Sequence, residues 1–428
     1  MRNYSAEEVM QYVSEMEVKF IRLAFCDIFG RQKNIAILPS ELPKAFSTGI
    51  AFDASAIAGF GGAVRSDLFL HPDPTTLVAL PWRPEIGSVV RMFCQVTYPD
   101  GTPLPSDSRA ILKKAVAEAE AKGYSFAFGS EMEFYLFQTD EHGNPTKEPY
   151  DRAGYMDIAP ADKGENVRRE VCLMLEQMGI QPESSHHEEG HGQNEVDFRY
   201  SDPVTAADNA VTFCAVVRTV ADRNGLCADF SPKPLPDQPG SGMHINFSVK
   251  SKDGRDVIPY VIAGIMQKIP DITLFLNPCH NSYDRLGGNK APGYISWSSE
   301  NRSQLIRIPA APAPEYARIE VRMPDVSCNP YLAFALLLAA GFEGMERKME
   351  LAEETPYDLY TANAGALEAL PASLEEAIAR AGGSAFVEKV LSADTARKYL
   401  ALKQAEQNRW FAARDKEKYQ DEAYFGVL

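Results

Sequence analysis

Four stretches of this chain share one alternation: SEMEFYLF (130–137), NEVDFRY (194–200), GMHINFSV (242–249) and ARIEVRM (317–323). Successive side chains of a β-strand point to opposite faces. In the first stretch Glu131, Glu133 and Tyr135 therefore share a face, opposite Met132, Phe134 and Leu136. In the second, Glu195, Asp197 and Arg199 oppose Val196, Phe198 and Tyr200. The third sets His244, Asn246 and Ser248 against Met243, Ile245 and Phe247, and the fourth sets Arg318, Glu320 and Arg322 against Ile319, Val321 and Met323. A solvated outer face is the ordinary explanation for any one such strand. Solvated faces, however, are rich in Thr, Lys and Ser, whereas these fronts carry metal ligands and phosphate binders.

If the four strands line one cavity, Glu131, Glu133, Glu195 and Glu320 crowd together. Like charges ~4 Å apart repel by about 4 kcal/mol per pair at an effective dielectric near ~20. Such a cluster calls for cations between the carboxylates, and oxygen-rich ligation with one imidazole suits Mg²⁺ or Mn²⁺ better than zinc. Glu188 extends the set: it precedes Glu195 in SSHHEEGHGQNEVDFRY (184–200), across a turn holding Gly190 and Gly192. The nearby His186, His187 and His191 lack the helical HExxH spacing of zinc hydrolases and read as groups bordering the turn. Arginines form the other half of the pattern: Arg285 in NSYDRLGG, Arg302 and Arg307 in NRSQLIRIP, and Arg318 and Arg322. Arginines facing metal-binding carboxylates suit phosphoryl transfer, whose transition state needs fixed cations.

Composition narrows the rest. The net charge of -16 disfavours nucleic acid and anionic membranes as partners. The 7 cysteines are scattered without a CxxC pair, which suits a reducing cytoplasm. The start, MRNYSAEEVMQYV, lacks a signal-peptide pattern, and no uncharged apolar run reaches the ~18 residues of a membrane span. No GxxxxGK[ST], GxGxxG-plus-acid or GxSxG pattern occurs, so the usual nucleotide folds and a serine hydrolase are unsupported. Strand-like segments fill the first hundred residues up to the break PDGTPLPSD, and an amphipathic helix capped by Asp107 or Ser108 and ended by Gly123 follows. This rhythm predicts an α+β protein with a small β-rich domain at 1–103 and a larger domain at 104–428.

The segments SEMEFYLF, HHEEGHGQNEVDFRY, GSGMHINFS, NRSQLIRIP and ARIEVRMPDVSCNPYLAFALLLAAGFEG, in this order, resemble the signature segments of type I glutamine synthetase. AFDASAIAGF (51–60) also resembles that family's loop reaching into a neighbouring subunit's site. The resemblance covers essentially the whole chain. It implies a β-grasp-like N-terminal domain, a catalytic domain with a curved antiparallel sheet, and a homo-oligomer of stacked hexameric rings, usually a dodecamer. It implies one metal held by Glu133, Glu188 and Glu195, and another held by Glu131, His244 and Glu320. It further implies ATP contacts from Asn246, Ser248, Arg302, Arg307 and Arg318, and glutamate contacts from Gly240, His244, Arg285 and Arg322. Asp53 of an adjacent subunit would help bind and deprotonate the amine, with Arg302 and Arg322 serving the chemistry. The implied reaction is ATP-dependent ligation of ammonia to the γ-carboxylate of L-glutamate through γ-glutamyl phosphate.

The chain departs from that pattern where ammonia-using members carry a flap glutamate in a segment like RLVPGYEAP. Here the segment is RLGGNKAP (285–292), one residue shorter, with Lys290 near the glutamate's place. Pro239 replaces an asparagine before Gly240, and Asn246 replaces the second histidine of an HxH pattern. Two alternatives follow: a ligase of the same fold acting on methylamine, ethanolamine or a polyamine, and a catalytically silent oligomeric relative. Tyr357 lies in TPYDLY, a poor match to the tyrosine adenylylated in some family members.

Overall fold

A computed structural model describes residues 4–62, 64–83, 86–288, 290–313 and 316–428. Near the N-terminus, Ser5 accepts from the Glu8 amide while Glu8 bonds back to the Ser5 amide, opening the helix Ala6–Glu15.

Six strands follow: β1 (Phe20–Cys26), β2 (Gln32–Ile37), β3 (Ile50–Asp53), β4 (Asp67–Pro72), β5 (Val78–Ala79) and β6 (Val89–Thr97). Their order is β2-β1-β6-β4-β3, with β5 on β6 and β1 parallel to β6. This is a β-grasp arrangement, and Ile21, Leu23, Leu68, Leu70 and Met92 build its own small core.

The second sheet is larger: β7 (Tyr124–Thr139), β8 (Pro145–Pro149), β9 (Pro182–His187), β10 (Gln193–Phe198), β11 (Leu226–Asp229), β12 (Met243–Ser251), β13 (Trp297–Ser299), β14 (Ile306–Ile308) and β15 (Ile319–Val321). Its order is β13-β14-β15-β12-β7-β10-β9, and β8 and β11 also pair with the long β7. The expected antiparallel curved sheet is present, with one departure: β13 runs parallel to β14.

The apolar backs of these strands meet helices. Phe128 of β7 stacks on Phe247 of β12 at 4.8 Å and on Phe334 of the helix Pro330–Arg347 at 4.7 Å. That helix lies against Ile258–Leu276 at a contact where a Cβ on Gly344 would sit 2.0 Å from the Tyr260 carbonyl. Only glycine permits so close a crossing. Burial of this side turns the polar fronts toward the opposite face. The helix Pro203–Arg223 is long and apolar enough to cross a membrane, yet 67% of its apolar window is buried in the core.

The two sheets are tied by a buried ionic knot. Arg109 donates to Asp208 at 2.9 Å and to Asp73 at 3.0 Å, Tyr331 donates to Asp208 at 2.7 Å, and Lys113 adds a pair to Asp73. Asn329 caps the helix Pro330–Arg347 and donates to the Ile28 carbonyl of the first sheet's loop at 3.0 Å.

Candidate active site

The predicted front residues come together through strand register. Glu131 of β7 faces His244 of β12 and Asp197 of β10; Glu133 faces Glu195; Asn246 faces Glu320 of β15, which in turn faces Arg307 of β14. Alternation put these residues on one face, and register converts them into neighbours. Glu131, Glu133, Glu195 and His244 border a cavity of about 280 Å³ that Glu188 and Arg322 also line, while Asp197, Asn246, Glu320, Arg307 and Arg318 stand outside its lining.

Ligand atoms of Glu131, His244 and Glu320 lie within 4.8 Å of one another, as do those of Glu133, Glu195 and His244. Glu188 groups with Glu195 and His186. His186, read from the sequence as bordering the turn, faces Glu195 at 3.3 Å and Glu188 at 3.7 Å. The donor set is mostly carboxylate oxygen, with imidazole at its edges, which fits Mg²⁺ or Mn²⁺.

The charges of the cluster are poorly matched. Burial, then Glu133, raises the Glu188 carboxyl to about 7. Glu195 is pushed well above the ordinary carboxylate range by burial and by Glu133, Asp197, Glu131 and Glu188. Asp197 is raised to about 6, chiefly by burial. Glu131 goes the other way: burial would raise it, but His244 at 3.1 Å and the Asn246 amide at 2.8 Å bring it down to about 2. A cation among Glu133, Glu188 and Glu195 would relieve this repulsion.

The arginines supply positive charge on the other side. Glu320, almost wholly buried, accepts from Arg307 at 2.7 Å and from Arg322 at 3.0 Å. Arg318 donates to Asn246 at 3.2 Å. Arg285 is buried, with its guanidinium held by the Met323 and Arg322 carbonyls at 2.7 and 3.3 Å. A Cβ on Gly240 would lie 2.8 Å from Arg285, and one on Gly242 2.6 Å, so the backbone passes directly beside this guanidinium. Arg302 is exposed at the rim. Ser248 lies farther along β12, outside the cavity lining, and exposed Asp53 at the end of β3 is likewise absent from the lining of its own chain's cavity.

Several lining residues escaped the sequence reading. Gln193 donates to Glu133 at 3.2 Å and to the Gly240 carbonyl at 3.1 Å. It lies two residues before Glu195 on β10, so the same alternation carried one step back would have found it. Tyr155, Glu189 and Tyr360 come from loops, where no period marks them. The Tyr360 hydroxyl donates to the Arg302 carbonyl at 3.0 Å. Lys290 reaches the rim and pairs with Glu189 at 2.9 Å; its flap neighbour Asn289 lies outside the described residues.

Comparison with known proteins agrees with this geometry. The family description "Glutamine synthetase, catalytic domain" matches residues 105–421, and "Glutamine synthetase, beta-Grasp domain" matches 17–99. The chain belongs to the glutamine synthetase family. It is a ligase of that family. A glutamine synthetase of Methanosarcina mazei is 44% identical over 95% of both chains, and one of Clostridium saccharobutylicum is 42% identical over 95% of this chain and 96% of that one. A glutamine synthetase of Staphylococcus aureus is 41% identical over 91% and 92%. Among solved structures, a GmaS/ADP complex superposes with a TM-score of 0.87 at 27% identity over 97% of this chain and 98% of its own. Ligand-free GmaS gives 0.86 at 28% over 95% and 97%.

Proposed function

We propose that this chain joins ammonia to the γ-carboxylate of L-glutamate at the expense of ATP. The observation that carries this reading is the convergence of Glu131, Glu133, Glu188, Glu195 and His244 with Arg285, Arg302 and Arg322 on one cavity, and of Glu320 on Glu131 and His244 beside it, in a chain of this family. A γ-carboxylate is a poor electrophile, because it is an anion without a leaving group. Its oxygen attacks the γ-phosphorus of ATP, the β–γ P–O bond breaks, and ADP departs. The nitrogen of the amine, once deprotonated, then attacks the acyl carbon, and inorganic phosphate leaves with the C–O electron pair.

In this reading Glu131, His244 and Glu320 hold one Mg²⁺ or Mn²⁺, and Glu133, Glu188 and Glu195 hold another. The cations neutralise carboxylates and phosphates together. Arg285, Arg322, His244 and the Gly240 backbone bind glutamate. Asn246, Ser248, Arg302, Arg307 and Arg318 bind ATP, with Arg302 and Arg322 facing the transferred phosphoryl group. Because Asp53 is exposed at the end of β3, we assign it to a neighbouring subunit's site, where it deprotonates the amine. This requires a ring, and hexameric rings stacked as a dodecamer meet the requirement. We divide the chain near residue 104, which the interval between the two family matches supports. A cytoplasmic setting accords with cysteines that are all unpaired.

Lys290 in place of a flap glutamate favours a larger amine, but the relatives named glutamine synthetase, at 41–44% identity, outweigh GmaS at 27–28%. A silent relative gains nothing from a repelling carboxylate cluster. Phosphate release from Mg²⁺-ATP and L-glutamate, assayed with ammonium, methylamine, ethanolamine and a polyamine in turn, tests the assignment. Turnover with ammonium is expected. Turnover with an organic amine alone replaces ammonia as the nucleophile, and no turnover with any supports the silent relative.

A further inference from the structure

A second acidic cluster stands behind the turn that carries Glu188 and Glu195. Ligand atoms of Asp151, Asp162 and His187 lie within 4.8 Å of one another, all buried, which is the outline of another metal site. Its charges, however, are already met. Arg168 forms an ion pair with Asp162 and donates to Asn194 at 2.6 Å. Asp151 accepts from the amides of Lys163 at 2.9 Å and Gly192 at 3.1 Å, and faces His187 Nε2 at 2.8 Å. Two carboxylates are thus balanced by a guanidinium, an imidazole and backbone amides, which leaves no demand for a cation.

What the cluster does hold is the turn. His187 Nδ1 lies 2.6 Å from the Glu188 carbonyl, Asp151 binds the Gly192 amide, and Asn194 donates to the Gly192 carbonyl at 2.9 Å while receiving Arg168. Glu188 is bonded through its own backbone, and Glu195 follows a residue whose side chain is locked. Asp151, Asp162, Arg168, His187 and Asn194 are each at least nine-tenths buried. The chain also closes on this knot at Gly164, where a Cβ would lie 2.6 Å from Asn194 Oδ1 and 3.1 Å from Arg168 Nη1.

We infer that Asp151, His187, Arg168, Asp162 and Asn194 are positioning residues that fix the separation of Glu188 and Glu195 and so set the site's affinity for a divalent cation. The inference rests on the metal-site reading above. Two carboxylates that repel each other would drift apart without an outside restraint. A rigid, charge-balanced scaffold keeps them preorganised, so less order has to be imposed when the cation binds.

The test is a Mn²⁺ titration of metal-free protein without substrates, followed by the electron paramagnetic resonance signal of free Mn²⁺. Asp151→Asn is expected to bind Mn²⁺ about 10–100-fold more weakly, with kcat for ligation restored at saturating Mn²⁺. Gly164→Ala, which removes no polar group, is expected to weaken binding in the same direction and stands in if Asp151→Asn does not fold. Arg109→Met, in the knot between the sheets, is the control: its unfolding temperature should drop while Mn²⁺ affinity holds. Unchanged affinity in a folded Asp151→Asn or Gly164→Ala overturns the inference, as does an equal loss in Arg109→Met. If the unaltered protein binds no Mn²⁺, the metal-site reading itself falls.

Discussion

The knot between the sheets and the front of the larger sheet are both buried, acidic and rich in arginine, yet they are built to opposite rules. At the knot, Arg109 is shared between Asp73 and Asp208, Tyr331 joins it on Asp208 and Lys113 on Asp73, and Thr75 donates to the other Asp73 oxygen. Burial notwithstanding, Asp73 is held well below the usual carboxylate range by Arg109 and Lys113. At the site, Glu188 and Glu195 are pushed upward by burial and by neighbouring carboxylates, whereas Glu131 is held by His244 and Asn246 and Glu320 by Arg307 and Arg322. The first region is complete as folded. The second is stable only in company, which is how a site reserved for cations and phosphates should look.

The contrast is most easily broken at the knot. Arg109→Met leaves the buried Asp208 without its cation and the half-buried Asp73 with Lys113, and should cost about 3–5 kcal/mol in denaturant unfolding. The pH dependence has a definite sign. Asp73 has a depressed folded-state pKa, so its contribution is present above the ordinary carboxylate pKa of ~3.9 and is lost as pH falls through the lower folded value. Arg109→Met should flatten that acid limb; an unchanged limb would assign it to other groups.

At the site the same kind of change should act on chemistry rather than stability. Glu131→Gln removes charge from the cluster of Glu131, His244 and Glu320 and should lower kcat by roughly 10²–10³-fold, about 3–4 kcal/mol. Full activity in that variant would refute the metal assignment.

Glu195→Gln sharpens the contrast further. Removing a repelled, buried carboxylate should raise metal-free stability by about 1 kcal/mol while abolishing the thermal shift that Mg²⁺ produces in the unaltered protein. A fall in metal-free stability would show that Glu195 is compensated after all. The smallest effect belongs to the rim. Lys290→Ala frees Glu189 from an exposed ion pair and should lower the KM for ammonium a few-fold at low salt, with the difference vanishing at high ionic strength.

How much of this was legible in the chain varies with the kind of local order. Glu131, Glu133, Glu195, His244 and Glu320 were legible because a strand's period of two sorts side chains without reference to anything distant. Gln193 obeys the same rule and was passed over because an amide attracts less notice than a carboxylate. Glu188 was found through its spacing and its turn. Tyr155, Glu189 and Tyr360 carried no signal, since loop residues are placed by contacts rather than by period. Asp151 and Arg168 are similarly silent: one precedes a loop, the other lies on the helix Glu165–Gln177, and only packing brings them to His187 and Asn194.

By itself the sequence determined which face of each strand is polar, where the helices cap and end, and that the polar face needs cations, because those depend on neighbours a few residues apart and on Coulomb's law. Tertiary structure alone decided that Glu195 stands opposite Glu133, that His244 stands opposite Glu131, and that a balanced cluster backs the turn between Glu188 and Glu195. Those pairings join residues separated by dozens to more than a hundred positions. Their register is chosen by how the apolar backs pack, which no local pattern records.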